Sequence, residues 1–481
     1  MGRNRGRVDV RALVVTAVCL GVLLCGVTSA AAATAPIIGS GVYWTNFSPA
    51  TIGHANLDGS AVNQDLVSLP PAAGGEADAS AVAQDGHYLY VGNEWGPISR
   101  VNFDGTGLTP FTSDNDPFDL AVGGSYLYIA NGGGTIDRVP IDDPSSALSP
   151  VLTGPYTNII SLAVDSQYVY WTNYDTDSIG RANLDGSDAN QSFITGLTEP
   201  DAIAVDGSHI YWATFESSVG SSPGSIGRAN LDGTDPDASF ITSGVDTPEG
   251  LAVDAGHVYW ASRVDGTIGR ANLDGSDVND SFISGGQDPE QIAVAPGPSI
   301  AGTLASGQSL TVGSTGTFGG DPGTFTEAWY SCDASGQNCA TTASGTGSAY
   351  TPTESDVGRT VELVVTDTNA SGAASESVVS GVIAQGVAPT KLVAKTVLAS
   401  LLRGGLTVTL TRSDTGAPLA GQTIVFAAGG RTICQATTGT NGVARCVGIA
   451  PLLAAWLNRG YTASYAGSAA YAPATATAKL T

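Results

Sequence analysis

After the first thirty residues the chain carries no long apolar stripe at helical spacing. Short apolar runs recur instead: AVAQ (81–84), LAVG (120–123), LAVD (162–165), IAVD (203–206) and LAVD (251–254). Aromatic runs form a second series: VYWTN (42–46), YLYVGN (88–93), YLYIAN (126–131), VYWTN (169–173), IYWAT (210–214) and VYWAS (258–262). A third run, IGRANLDG, is repeated letter for letter at 179–186, 226–233 and 268–275, with looser copies starting at Ile52, Ile98 and Ile136. A variable fourth segment follows, such as SFITG (192–196) or SFISG (281–285). Val, Ile, Tyr and Trp without strict alternation suit strands buried on both faces.

The leading Ile of the third run recurs at spacings of 46, 38, 43, 47 and 42 residues. That period fits four short strands with turns, one blade of a propeller. Asp-Gly pairs at 58–59, 104–105, 185–186, 232–233 and 274–275 predict a tight hairpin between third and fourth strands, both residues tolerating positive φ. The third unit has Asp142-Asp143 there, and its turn should be looser. The first unit lacks an apolar run before VYWTN, and the last is followed by IAVA (292–295) with no aromatic strand after it. The two ends complete one blade, closing the ring and removing open sheet edges. The expectation is a six-bladed propeller within residues 34–298, with Ala295-Pro296-Gly297-Pro298 as exit linker.

VYWTN followed by IGRANLDG resembles the low-density lipoprotein receptor class B (YWTD) propeller. The resemblance covers about 260 residues. It implies six blades and the binding of proteins at extracellular surfaces. Where the family has Asp after Thr, this chain has Asn46 and Asn173, and Asn, Thr or Ser in the other units.

Residues 299–387 change character. LASGQSLTV, AWYSCDASGQNC (328–339) and YTPTESDVGRTVELVVTDTNASG (350–372) resemble an actinobacterial Ig-like repeat, and turns every 8 to 12 residues fit a small sandwich with Trp329 in its core. Residues 388–481 resemble a second bacterial Ig-like module, of the adhesin and cell-wall type. The fold class is therefore all-β, a propeller followed by two Ig-like sandwiches.

Residues 1–33 read as an export signal: Arg3, Arg5, Arg7 and Arg11, an apolar run from Ala12 to Val27, and small residues from Ser29 to Ala33. Cys19 and Cys25 leave with it. The remaining cysteines form two local couples, Cys332/Cys339 and Cys434/Cys446, which an exported chain would join as disulfides. The second would close a loop worth about 3 kcal/mol by chain entropy. No further transmembrane run follows, so the mature chain is expected to be secreted or held at the cell surface, with an extracellular protein or a cell-envelope component as partner. The net charge of −25 argues against nucleic acid.

No H-E-x-x-H or C-x-x-C motif occurs, and His209 and His257 share the register of Tyr88, Tyr126 and Tyr168, a structural position. Residues 34–298 hold 34 acidic residues against 6 basic ones. Arg100, Arg138, Arg181, Arg228 and Arg270 all stand at the third position of the repeat, where pairing with carboxylates is expected. Acidic pairs precede the apolar runs: Glu76 and Asp78, Asp116 and Asp119, Glu199 and Asp201, Asp246 and Glu249, Asp288 and Glu290. On a propeller these loops ring one channel mouth. Such a rim offers oxygen ligands to a cation such as Ca²⁺, or a field that steers a basic partner, or only a solvated surface. The leading expectation is an exported, non-enzymatic binding or adhesion-type protein, with the Ig-like modules as spacer or surface attachment. The alternative is a metal-dependent propeller hydrolase or lyase of the lactonase kind, working at the acidic mouth.

Overall fold

A computed structural model describes residues 37–479, apart from 72–76, 95, 113–115, 155–157, 215–223, 320–322, 371, 399–403 and 469. The proposed signal, residues 1–33, lies outside them, as does Glu76. Almost all regular secondary structure among the described residues is strand. Six four-stranded antiparallel sheets run through residues 41–295. Their innermost strands are Pro289–Ala295, Ala79–Gln84, Pro117–Gly123, Ile159–Val164, Pro200–Val205 and Pro248–Val253, which we number as blades 1 to 6. Each packs on the next, and the sixth packs on the first, so the sheets form a closed ring. In blade 1, Gly41–Asn46 pairs with Pro289–Ala295, joining the two ends of the repeat array.

The repeat letters correspond to packing. The Trp of each VYW lies opposite the Gly of IGR: Trp44 with Gly53, Trp171 with Gly180, Trp212 with Gly227, Trp260 with Gly269. A Cβ on any of these glycines would sit 2.1–2.2 Å from the indole. Blades 2 and 3 have Val91 and Ile129 instead of Trp, and there the partners are Ser99 and Asp137. Gly is needed only where an indole lies flat across the neighbouring strand.

The repeated Arg behaves differently from the expectation. Its partner is a backbone carbonyl of the next blade, not a carboxylate. Arg138 donates to Leu184 O (2.7 Å), Arg181 to Leu231 O (3.2 Å), Arg228 to Leu273 O (2.9 Å), and Arg270 crosses the closure to Leu57 O (3.1 Å). Each acceptor is the Leu of an LDG turn. Aromatic rings hold the guanidinium from one side, as Phe193, Phe240 and Phe282 do at 3.9–4.0 Å.

The Asp-Gly turn also corrects the expectation. Only the Gly takes positive φ, 80–85° at Gly59, Gly105, Gly186, Gly233 and Gly275. In the first of these turns Gly59 N–H donates to Asn56 O and Asn56 N–H to Ser60 O, enclosing a three-residue loop, Leu57-Asp58-Gly59. The Asp carboxylate accepts the N–H two residues on, as Asp185 does from Ser187 (3.0 Å).

Two sandwiches follow. One pairs a three-stranded with a four-stranded sheet around Trp329, Leu363 and Val365, and contains the Cys332–Cys339 disulfide. The other is built the same way around Val408, Ile424 and Phe426, with a Cys434–Cys446 disulfide. Ile37–Ile38, which the sequence reading placed in the propeller, pairs antiparallel with Phe318–Gly319 of the first sandwich. The exit linker is shorter than expected, because strands end at Ala295 and resume at Pro298. One helix, Ile449–Leu457, was not foreseen. Ala and Leu favour it, and Pro451 falls in its first turn, where Pro is tolerated.

Substituting Gly180→Ala should destabilise the propeller by about 1–3 kcal/mol, because the indole of Trp171 cannot yield. Ser99→Ala, opposite Val91, should cost clearly less. Calorimetry of the propeller transition in both variants checks this, and equal losses would contradict the Trp–Gly account.

Candidate functional site

Every innermost strand opens with a β-bulge. The register shifts just after its first residue, between Pro200 and Ile203 in blade 5 and between Pro248 and Gly250 in blade 6, with counterparts in the other four. A bulge turns one residue out of the ladder and re-aims its side chain. The freed N–H needs an acceptor, and the Thr of YWTN supplies it: Gln291 N–H donates to Thr45 Oγ1 (2.9 Å) and Ser161 N–H to Thr172 Oγ1 (3.1 Å).

The re-aimed residues are the second of each strand: Ser80, Phe118, Ile160, Asp201, Glu249 and Glu290. All six line one cavity of about 310 Å³ at the channel mouth. Phe47, Glu94, Arg263 and Gln291 complete it. The wall is therefore divided. Blades 3 and 4 present Phe118 and Ile160, and blades 5, 6 and 1 present three acids.

Arg263 stands among those acids. Its Nη1 donates to Glu290 Oε1 at 2.6 Å and lies 3.3 Å from Glu249 Oε2. Its guanidinium also lies over the Phe47 ring, 4.8 Å from the centroid. Burial pushes the Asp201 carboxyl up to about 7, helped by Glu249 and Asp119. Burial pushes Glu290 up to about 8, with Glu249, Glu94 and Asp201 adding to it, despite the contact with Arg263. Glu249 and Glu94 are raised for the same first reason, burial. Three of these carboxyls, Glu94, Glu249 and Glu290, thus share one guanidinium in a partly desolvated place, where an arriving positive charge would favour their charged forms.

Of the ten carboxylates singled out in the sequence, Asp201, Glu249 and Glu290 meet in this cavity. Asp119 is fully buried between blades, where it accepts from Ser161 Oγ (2.6 Å) and from the N–H groups of Leu162 (2.9 Å) and Leu120 (2.8 Å); burial raises it to about 6. Asp116, Glu199 and Asp288 each stand directly before an innermost strand with positive φ (99°, 38° and 52°). Asn158 takes the same place in blade 4 at 62°. Asp and Asn tolerate that conformation, so this register has a local structural role. Asp78 lies beside Glu94, whose N–H donates to Asp78 O (3.0 Å), and Asp246 is exposed. Glu76 lies outside the described residues.

Sequence reading missed Glu94 and Arg263. Arg263 carried a signal: it is the sixth Arg of the propeller and the only one off the repeat register.

Among the described residues, no three carboxylates of the mouth bring ligand atoms within 4.8 Å of one another as arranged. Among the described residues, the single group of three ligands within 4.8 Å of one another is Cys332, Cys339 and Glu362, two of which are a disulfide. Ca²⁺ takes six to eight oxygens, and Arg263 would have to leave Glu249 and Glu290 to admit it. The donors suit an organic cation with an apolar stem.

With this geometry in view, one comparison is direct. Residues 167–206 match the low-density lipoprotein receptor repeat class B. Residues 298–381 match the AIR9 A9 domain, an Ig-like family. No curated protein matches significantly along its sequence. Similar solved structures include a nidogen/laminin complex, at 14% identity over 53% of this chain and 98% of that one, TM-score 0.45. Two computationally designed proteins also match: Ika4, at 15% identity over 35% and 98%, TM-score 0.28, and Ika8, at 13% over 58% and 84%, TM-score 0.31.

The raised carboxyls fix a pH dependence. Asp119, Asp201 and Glu290 bind protons more tightly folded than unfolded, so their contribution is fully present below the ordinary carboxylate range and is lost as pH rises through about 6 to 8. The propeller transition should fall in temperature between pH 5 and pH 9. Combining Asp201→Asn with Glu290→Gln should flatten that slope, as read by calorimetry, and an unchanged slope would contradict the assignment.

Proposed function

We propose that the protein is an exported, non-enzymatic binding protein whose propeller mouth receives a basic side chain of an extracellular protein partner. The observation that carries this reading is the split wall. Six positions equivalent in the blade scaffold hold Ser80, Phe118, Ile160, Asp201, Glu249 and Glu290, and building a ring requires no such difference. The acids would neutralise a lysine or arginine head, while Phe47, Phe118 and Ile160 cover its alkyl stem. The class B repeat match supports protein binding over small-molecule turnover. The paired cysteines fit an oxidising compartment. Among the described residues no helix is long and apolar enough to cross a membrane. In this reading residues 1–33 direct export, residues 34–298 bind, and the modules at 299–387 and 388–481 act as spacer or surface attachment.

Calorimetric titration with short peptides tests it. A lysine- or arginine-centred peptide should bind and its norleucine counterpart should not. Asp201→Asn with Glu290→Gln should weaken binding at least tenfold. Binding that ignores peptide charge, or binding of no cationic peptide, would overturn the reading.

A further inference from the structure

The helix Ile449–Leu457 is turned the wrong way for a surface helix. It gives its small Ala455 to the core, with Leu452 packed against that cluster. It leaves Ile449, Leu453, Trp456 and Leu457 exposed, at 85%, 51%, 52% and 64%. Those positions are i, i+4, i+7 and i+8, one face of the helix. Val447, just before it, is 66% exposed. Among the described residues, five of the thirteen exposed large apolar side chains fall in these eleven residues, which makes them a patch and not scatter.

The charge around the patch has one sign. No Asp or Glu follows Asp414, in a chain whose net charge is −25. Arg445 lies two residues before Val447 and Arg459 two after Leu457, both exposed. Lys479 is registered beside Gly460, the residue after Arg459. The strand Arg431–Thr437 packs against the helix.

The geometry points to an anionic lipid bilayer as the occupant of this face. An apolar helix face carrying a Trp and bordered by Arg and Lys is the composition that lies in a membrane interface. The cations gain from anionic headgroups. A cell-wall polyanion would engage the cations but leave Ile449, Leu453, Trp456 and Leu457 in water. A second copy docking through the same face would bring apolar surface but set Arg445, Arg459 and Lys479 against like charges. With nine residues the helix lies on the membrane and does not cross it.

The test is flotation of residues 34–481, the compact unit without the apolar N-terminus, with phosphatidylcholine vesicles with and without 30% phosphatidylglycerol. The chain should float with the anionic vesicles and bind neutral ones at least tenfold less. Trp456→Ser with Leu457→Ser should lower binding tenfold or more. Both side chains are exposed, so the fold is kept, which circular dichroism verifies. Arg445→Gln with Arg459→Gln should weaken binding to the anionic vesicles and make it less salt-sensitive. No binding to anionic vesicles, or binding untouched by the Trp456 and Leu457 changes, would overturn the proposal. So would a dimer in sedimentation that those changes dissolve, since the face would then belong to a second copy.

Discussion

The ring depends on a contact that four of its six blades make with the next: a guanidinium at the third position of the repeated segment, donating to the Leu carbonyl of the following LDG turn. The bond is charge-assisted, and an aromatic ring shields it. The same eight residues supply both halves, donor in one blade and acceptor in its neighbour, so repeating the segment repeats the joint. Arg270 to Leu57 makes this joint across the closure, between residues more than two hundred positions apart. The Gly of the segment admits the indole of the preceding strand, and the final Gly closes the turn that presents the Leu carbonyl.

Within that frame the Thr of the aromatic strand has a second task. In blades 1 and 4 it accepts the N–H released at the bulge, and in all six blades the bulge lets one residue leave the ladder and point into the channel. Those six residues stand outside the strand ladder and line the channel mouth. They are where the repeats diverge most in chemistry, from Phe118 and Ile160 to Asp201, Glu249 and Glu290. The scaffold is kept constant, and the mouth is where it carries individual chemistry.

Most of the ring was legible because its parts recur. The apolar, aromatic and IGRANLDG runs gave blade number and closure, and the split first blade was visible at the chain ends. What the Arg touches was not legible, because a backbone carbonyl leaves no letter in the sequence. Nor was the orientation of the acidic pairs. Glu199 and Asp201 differ by two residues, and only the bulge after Pro200 decides that Asp201 enters the channel while Glu199 shapes the turn. Glu94 and Arg263 share one register, the position directly after the aromatic strand, but the residue there changes from blade to blade (Phe47, Glu94, Gly132, Tyr174, Arg263), so no repeated letter marked it. The helix Ile449–Leu457 escaped because its bulky face turns outward and a short apolar run of nine residues resembles a strand.

The central claim is a division of labour: the repeated residues build the ring, and the residues at the mouth that change from blade to blade bind. The most direct measurement compares Arg181→Gln with Arg263→Gln, recording the propeller unfolding transition and the affinity for a lysine-centred peptide in each. The account predicts that Arg181→Gln costs about 1.5–3 kcal/mol of stability and leaves affinity near its original value while folded. Arg263→Gln should leave the ring nearly as stable and strengthen peptide binding, because the competing cation is gone. Equal loss of stability in both variants, with affinity unchanged by Arg263→Gln, would contradict it.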